Sequence, residues 1–502
     1  MFLIRIIKII FSRNFKGYFT NPLTLVIRLN FIDLINILLL LLLLIPPPVP
    51  SFNSSEAYRV LQCITHTNMD HDSQLKQRAK TVLPSLTHLS IAGMPKSFAQ
   101  FYTHGQGSHV FDVNGKEWID YMSSYGPVLL GHRHPTVDEA VRKQLLEGDC
   151  LAGPSPRMVE LAELLVHTVP FADWAYFAKN GGDATVISVR IARAKTGRRV
   201  ILRAPNSYHG AQSIWREGSP KSLQREGVLP SAAEHLLPFT YNDLASVKRA
   251  ADQAGDDWAG IIVAAFQWDY GVPQQIATAE FLRGVRKLCT ERGAALICDD
   301  VRSSFRIKSS GTWEEERYGH GVSPDLTCLC KGMANGQPLS AVLGTEEWRV
   351  GASRIVATGS FWANAVPFAA ALATIPLSDE ASRNSVARGK ELRSGLRHQA
   401  KQCGMGSDFQ QTGPPQMPFF HFDSEQTLPL SKRQKILTFV DVCAKSGVLF
   451  HPFHTMFLGG AHTVEDVRRT LEVTKRAFDV LKKEEEKEER ERERERRRRA
   501  KM

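Results

Sequence analysis

From Gly107 to Lys482, short apolar runs alternate with longer stretches whose apolar residues recur at helical spacing. The runs Trp174–Ala178, Arg199–Arg203, Gly260–Ala265, Ala294–Cys298 and Leu326–Cys330 have strand length and are rich in apolar residues. Each is followed by a turn or by a helix-length stretch such as Asp183–Thr196 or Ala277–Arg292. That alternation predicts an α/β fold, a mostly parallel sheet covered by helices. In such sheets ligands sit outside the carboxyl ends of the strands. Chemically active residues are therefore expected just after these runs. Cys328 and Cys330 alternate within the last run, so both are expected on one face as small buried hydrophobes.

Both ends of the chain break the pattern. The first fifty residues are basic and apolar, and the run Ile37–Ile45 stops at prolines, short of the roughly 20 residues that span a bilayer. A membrane anchor or uncleaved signal, an organelle-targeting segment and a mispredicted start codon all fit this stretch. Membrane contact is expected, if anywhere, only through residues 1–50, and the protein is otherwise placed in the cytoplasm or an organelle. Residues 482–502 are low-complexity charge, read as a solvated helical extension or a disordered tail with Glu–Arg pairs three or four apart.

Composition narrows the picture. At 502 residues the chain is long enough for more than one structural domain, and 43% hydrophobic with 23% charged residues is ordinary for a globular protein. The formal charge of +11 gathers largely at the termini, and no basic stripe with interleaved aromatics runs through the middle. No nucleic-acid partner is expected. The cysteines form no C-x-x-C pair and no cluster with histidines, so neither a metal site nor a disulfide framework is predicted, and a reducing compartment is the default.

The chemistry gathers after the strand runs. Asp299 and Asp300 follow the apolar run before them, and Lys331 follows the next, leading into a turn with Gly332, Asn335, Gly336 and Pro338. A lone lysine there is usually a surface charge. Paired with a fixed carboxylate, a semi-buried lysine suits a pyridinium aldehyde, because burial lowers its pKa and frees the amine as nucleophile and base. Asn180, Gly181 and Gly182 form a turn directly before a helix, where backbone N–H groups and the helix dipole could hold a phosphate. Tyr208 and His209 follow the Arg199–Arg203 run, and the aromatic ring could stack on a planar group.

The order of these elements resembles the class III aminotransferases, especially the branch with glutamate-1-semialdehyde 2,1-aminomutase. The resemblance covers Gly107 to Lys482. It rests on VFDVNGKEWIDYMSSYGPVLLGHRHP, PSPRMVELAELLVHTVP, DDVRSSFR, PDLTCLCKG, GSFWANAVPFAAALA and GVLFHPFHTMFLGGAHTVEDVRRTLEV. It implies the type I fold of pyridoxal-phosphate (PLP) dependent transferases: a large domain with a mostly parallel sheet, and a smaller α+β domain built from N- and C-terminal segments. The chain would divide into 1–52 as the N-terminal segment, 53–127 and 379–481 as the small domain, 128–378 as the large domain, and 482–502 as the tail.

The same resemblance implies roles. Lys331 would carry pyridoxal 5'-phosphate as a Schiff base and Asp299 would keep the pyridine nitrogen protonated. Asn180, Gly181 and Gly182 would cup the phosphate, and Tyr208 with His209 would flank the ring. Ser360 would reach the phosphate bound by a neighbouring subunit, which implies a homodimer with shared active sites. Ser124 and Tyr125 would line the substrate side.

Several positions depart from the family pattern. The usual serine- or threonine-bearing phosphate turn reads Asn180-Gly181-Gly182 and lacks a hydroxyl donor, and Ala264-Ala265 replaces a common Glu-Pro. Asp300 replaces Glu, and Arg302 stands where the aminomutases have methionine and many relatives glutamine. Met94–Ala99, where an aminomutase arginine binds the substrate carboxylate, matches poorly, and Lys96 is its only candidate substitute. Two readings follow: an aminotransferase or aminomutase acting on a small amino acid or amino ketone, or a degenerate PLP-fold protein kept as a binding or interaction module.

Overall fold

The computed structural model describes residues 70–84, 94–95, 97–216, 227–423 and 430–500, so the N-terminal segment and Lys96 lie outside the described residues. Strands β1 (Tyr102–Gln106), β2 (His109–Asp112) and β3 (Glu117–Asp120) form an antiparallel meander. Next come β4 (Trp174–Ala178), β5 (Val200–Arg203), β6 (Leu236–Pro238) and β7 (Trp258–Ala264). A short hairpin of β8 (Phe266–Gln267) and β9 (Gln275–Ile276) leads to β10 (Ala295–Asp299), β11 (Leu326–Leu329) and β12 (Ser340–Gly344). The chain closes with β13 (Phe409–Thr412), β14 (Phe419–Phe422) and β15 (Val448–Leu449).

The central sheet has seven strands in the order β4-β12-β11-β10-β7-β5-β6. Only β12 runs antiparallel to its neighbours. Both faces are covered, which is why the strands read as continuous apolar runs. Along β10 the pleat sends Leu296 and Cys298 into the core shared with Phe281, Leu282 and Val285 of helix Ala279–Arg292. Ala295 and Ile297 point the other way, to Ala184, Ile187 and Ile191 of helix Gly181–Thr196. Each such fully buried aliphatic side chain contributes about 1.5–3 kcal/mol over an exposed one.

A second core joins the two ends of the described chain. In it, Trp118, Ile119 and Tyr121 pack with Leu392, Phe439, Phe450 and Phe478, and β15 pairs with β3 in register Val448↔Ile119. Its long helix, Val464–Arg499, continues through the charged tail and so takes the helical alternative. The Lys435 ammonium, itself held to Asp408 at 2.5 Å, anchors the helix by an ion pair to Glu485. Further on, only exposed pairs such as Glu493–Arg497 remain, each worth little.

Two local expectations shift. The helix after β4 starts at Gly181, earlier than Asp183, because the Asp183 carboxylate turns back to accept from the Asn180 amide at 2.8 Å and its Nδ2 at 3.1 Å. Strand β11 ends at Leu329, so Cys328 is fully buried but Cys330 lies beyond the pleat and is only half-buried. Among the described residues no disulfide and no metal-ligating cluster is present, and no helix is long and apolar enough to cross a membrane.

Candidate active site

Because β4, β5, β7, β10 and β11 are parallel, their carboxyl ends meet on one edge of the sheet. Asp299 is the last residue of β10, directly beside Cys328 of β11. Its Oδ2 lies 2.6 Å from His209 Nδ1, and its Oδ1 accepts from the Val301 amide at 3.1 Å. A carboxylate only accepts, so Nδ1 carries the proton. The His209 carbonyl takes the Thr185 hydroxyl at 2.7 Å, and the His209 ring packs on Trp215 at 5.3 Å. The histidine expected to flank a ring is thus held edge-on against Asp299.

Asp300 faces elsewhere. It is buried and accepts from Ser303 Oγ at 2.6 Å and from the Thr312 amide and hydroxyl at 2.7 and 2.5 Å. Burial still pushes its carboxyl up to about 6. The two adjacent aspartates therefore separate into one that faces the site and one that pins the loop behind it.

Lys331 opens a short turn, Lys331–Ala334, with φ of 40° in the left-handed region. A non-glycine residue there costs on the order of 1–3 kcal/mol, and such conformations gather at functional sites. Its Nζ donates to the Tyr125 carbonyl at 3.0 Å. Burial and then the positive charge of Arg302 pull the ammonium down to about 8. A buried amine near 8 has a substantial neutral fraction at physiological pH.

Tyr125 belongs to a second left-handed stretch. Ser123, Ser124 and Tyr125 have φ of 46°, 52° and 65°. The Asp120 carboxylate holds the turn by accepting from the Met122 and Ser123 amides at 2.8 and 2.9 Å. Gly126 ends it at φ 110°, where a Cβ would meet Phe457 at 3.0 Å.

The glycine turn after β4 is a shaped cradle. A Cβ on Gly181 would stand 2.4 Å from Val301 Cγ1, and one on Gly182 would stand 2.1 Å from Gln212 Oε1. Val301 closes the Gly181 position to a side chain, whereas at Gly182 the end of the Gln212 side chain would have to shift. Asn180 is exposed at the rim.

A wall of rings leads to Tyr125, whose carbonyl holds Lys331 Nζ. Tyr208, 45% exposed, lies 6.3 Å from Trp268, and Trp268 lies 4.4 Å from His454. His454 in turn is 4.8 Å from Tyr125. His451 and Tyr270 extend the wall at 5.6 Å from each other. Burial holds His454 well below the ordinary histidine range and His451 down to about 4, so both imidazoles are neutral at physiological pH. The His454 Nδ1 donates to the Thr455 carbonyl at 2.8 Å, and His451 Nδ1 accepts from the Phe453 amide at 3.0 Å.

Lys331, Asp299, Gly181, Gly182, Tyr208, His209 and Tyr125 are therefore joined through shared neighbours. Ser360 shares no hydrogen bond or ring contact with them among the described residues and sits on an exposed stretch. Trp268, Val301, His451 and His454 were not picked out from sequence. Their signal is weak, since an isolated aromatic or histidine near a strand end is most often a packing residue.

The residues suit pyridoxal 5'-phosphate. A carboxylate matches a pyridinium N–H, a depressed buried amine matches an aldehyde, and a glycine cradle at a helix N-terminus matches a phosphate. The family description "Aminotransferase class-III" matches residues 92–476. The aminopentol aminotransferase of Sphingopyxis macrogoltabida is 40% identical over 421 residues, covering 83% of this chain and 96% of that one. The glutamate-1-semialdehyde 2,1-aminomutase of Bacillus subtilis (strain 168) is 32% identical over 400 residues, 75% of this chain and 90% of that one. The structure of the PLP internal aldimine form of the FumI protein from Sphingopyxis sp. MTA144 superposes with a TM-score of 0.76 at 40% identity, covering 82% and 96% of the two chains. The fold is thus that of the type I PLP-dependent transferases, and the chain belongs to the class III aminotransferases, a PLP-dependent enzyme family.

Proposed function

We propose that the protein moves an amino group from a primary amine to a separate 2-oxo acid, and does not shift it within one molecule. The observation that carries this reading is the wall formed by Tyr125, Trp268, Tyr270, His451 and His454, whose imidazoles are uncharged. Such a wall suits an apolar or hydroxylated amine, because it offers ring faces and neutral hydrogen-bond partners. The 40% identity to an aminopentol aminotransferase supports the same direction.

Pyridoxal 5'-phosphate, when bound, supplies an aldehyde for exchange of amino groups and a pyridinium ring that accepts the electrons released at the substrate carbon. Lys331 would hold the cofactor at Nζ, and the same amine would move a proton at the substrate carbon. The Tyr125 carbonyl orients that Nζ. Asp299 would hold the proton on the ring nitrogen, and His209 fixes the carboxylate by its Nδ1–H. Asn180, Gly181 and Gly182 cup the phosphate with backbone amides, with Tyr208 beside the ring and Ser124 with Tyr125 on the substrate side.

Ser360 serves the neighbouring subunit of a homodimer in this reading. Val356 and Phe361 beside it are 81% and 63% exposed, and Leu145 and Leu146 are exposed on a segment tied to it by the Asn364 Nδ2 bond to Asp149 at 2.8 Å. A pairing subunit would cover this apolar surface.

A panel of amines and amino ketones tests the reaction. Carboxylate-free amines are expected to be deaminated beyond one equivalent per enzyme only when a 2-oxo acid is present. Isomerisation of glutamate-1-semialdehyde without any acceptor would contradict it.

A further inference from the structure

One cation in the site is held only by neutral groups. Arg302 Nη1 donates to Thr455 Oγ1 at 3.0 Å, and Nη2 donates to the Phe266 carbonyl at 3.0 Å. Its guanidinium carbon lies 5.2 Å from the Trp268 ring centroid. A guanidinium carries five N–H donors, so three are left. Among the described residues Arg302 makes no ion pair; Asp299 acts on it only through its charge, its oxygens being engaged by His209 and Val301.

Arg306, one turn on, shows what a structural arginine looks like in this fold. It is 1% exposed, and its Nη atoms donate to the carbonyls of Leu458, Gly126 and Val128. Arg302 by contrast is half-buried. The contacts from it run toward the reacting amine: Trp268 to His454 at 4.4 Å, His454 to Tyr125 at 4.8 Å, and the Tyr125 carbonyl to Lys331 Nζ at 3.0 Å. Its charge is also felt at Lys331. Burial lowers Arg302 only to about 10, which leaves it charged at neutral pH.

An aminotransferase that handles a carboxylate-free amine must also admit an acceptor that carries a carboxylate in the same space. A planar guanidinium with open donors is the group that takes a carboxylate in paired hydrogen bonds. We propose that Arg302 binds the carboxylate of the small 2-oxo acid that accepts the amino group, and is the specificity-determining residue for that second substrate. This inference rests on the aminotransferase reading above. The ring of Trp268 would keep the guanidinium in place while the amine occupies the aromatic wall.

The test uses the cofactor-loaded full chain, comparing wild type, Arg302→Met and Arg302→Lys. Calorimetry reads binding of propionate, a monocarboxylate without an oxo group. Rapid mixing reads the amine and 2-oxo acid half-reactions separately. Arg302→Met is expected to weaken propionate and to lower kcat/KM for the 2-oxo acid about 10- to 100-fold, mainly through KM, as for loss of charge-assisted hydrogen bonds. The amine half-reaction should fall far less, and Arg302→Lys should recover part of the carboxylate affinity. Equal propionate affinity in wild type and Arg302→Met, or an equal fall in both half-reactions, overturns the proposal. If no amine transfers its amino group to the wild-type cofactor, the aminotransferase reading fails instead, and the propionate comparison still decides Arg302.

Discussion

Replacing Lys331 by alanine is expected to lower turnover by at least about 10²–10⁴-fold, the range for removing a positioned general acid–base group. It also removes the only amine that the Tyr125 carbonyl orients at the carboxyl edge of β11 among the described residues. Steady-state kinetics on purified protein, with the fold checked by circular dichroism, measures the loss. Turnover within tenfold of wild type would remove Lys331 from the mechanism.

A stability effect of opposite sign accompanies that loss. The folded protein holds Lys331 at about 8 against an ordinary value of 10.5. A lysine with a lowered folded pKa binds fewer protons folded than unfolded between those values, so stability rises with pH across that window. Below about 8 the charged ammonium is a full penalty on the fold. Cofactor-free Lys331→Met should therefore melt higher than wild type at pH 7. The advantage should shrink as pH climbs from about 8 to 10.5.

The second large effect is expected at Asp299. Asparagine keeps the shape, but its single Oδ1 can accept from only one of His209 Nδ1 and the Val301 amide, and it loses the negative charge. Removing one electrostatic stabiliser of developing charge typically lowers kcat about 10²–10³-fold, or about 2.7–4 kcal/mol. Asp299→Asn is expected to retain cofactor, read by absorbance, while its kcat falls by that amount. Retention of most of the wild-type turnover would contradict the assigned role.

Much of the frame was legible in sequence because parallel strands buried on both faces leave uninterrupted apolar runs. All five strand runs appear at their expected places within about two residues. Strand β12 was missed, although Ser340–Gly344 is fully buried, because the glycine- and proline-bearing turn before it masked a short run. Lys331 and Asp299 were legible since each terminates such a run. The consecutive left-handed residues Ser123, Ser124 and Tyr125 were not, because serine and tyrosine carry no signal for positive φ. Instead, Asp120 and Gly126 impose the turn from either side.

The long-range partners were equally hidden. Nothing local ties His209 to Asp299, which lie 90 positions apart in the chain. The Arg302 change was visible as a departure from the family pattern, but its meaning needed Thr455, Phe266 and Trp268 around it.

The central claim is that Lys331 holds the cofactor, and borohydride trapping tests it most directly. Reduction of the purified cofactor-loaded protein fixes any carbon–nitrogen link between a lysine and pyridoxal 5'-phosphate, and peptide mass spectrometry then locates it. The added mass is expected on the peptide that contains Lys331 and on no other. Its absence there, or its presence on a different lysine such as Lys179 beside the glycine cradle, would remove Lys331 from that role.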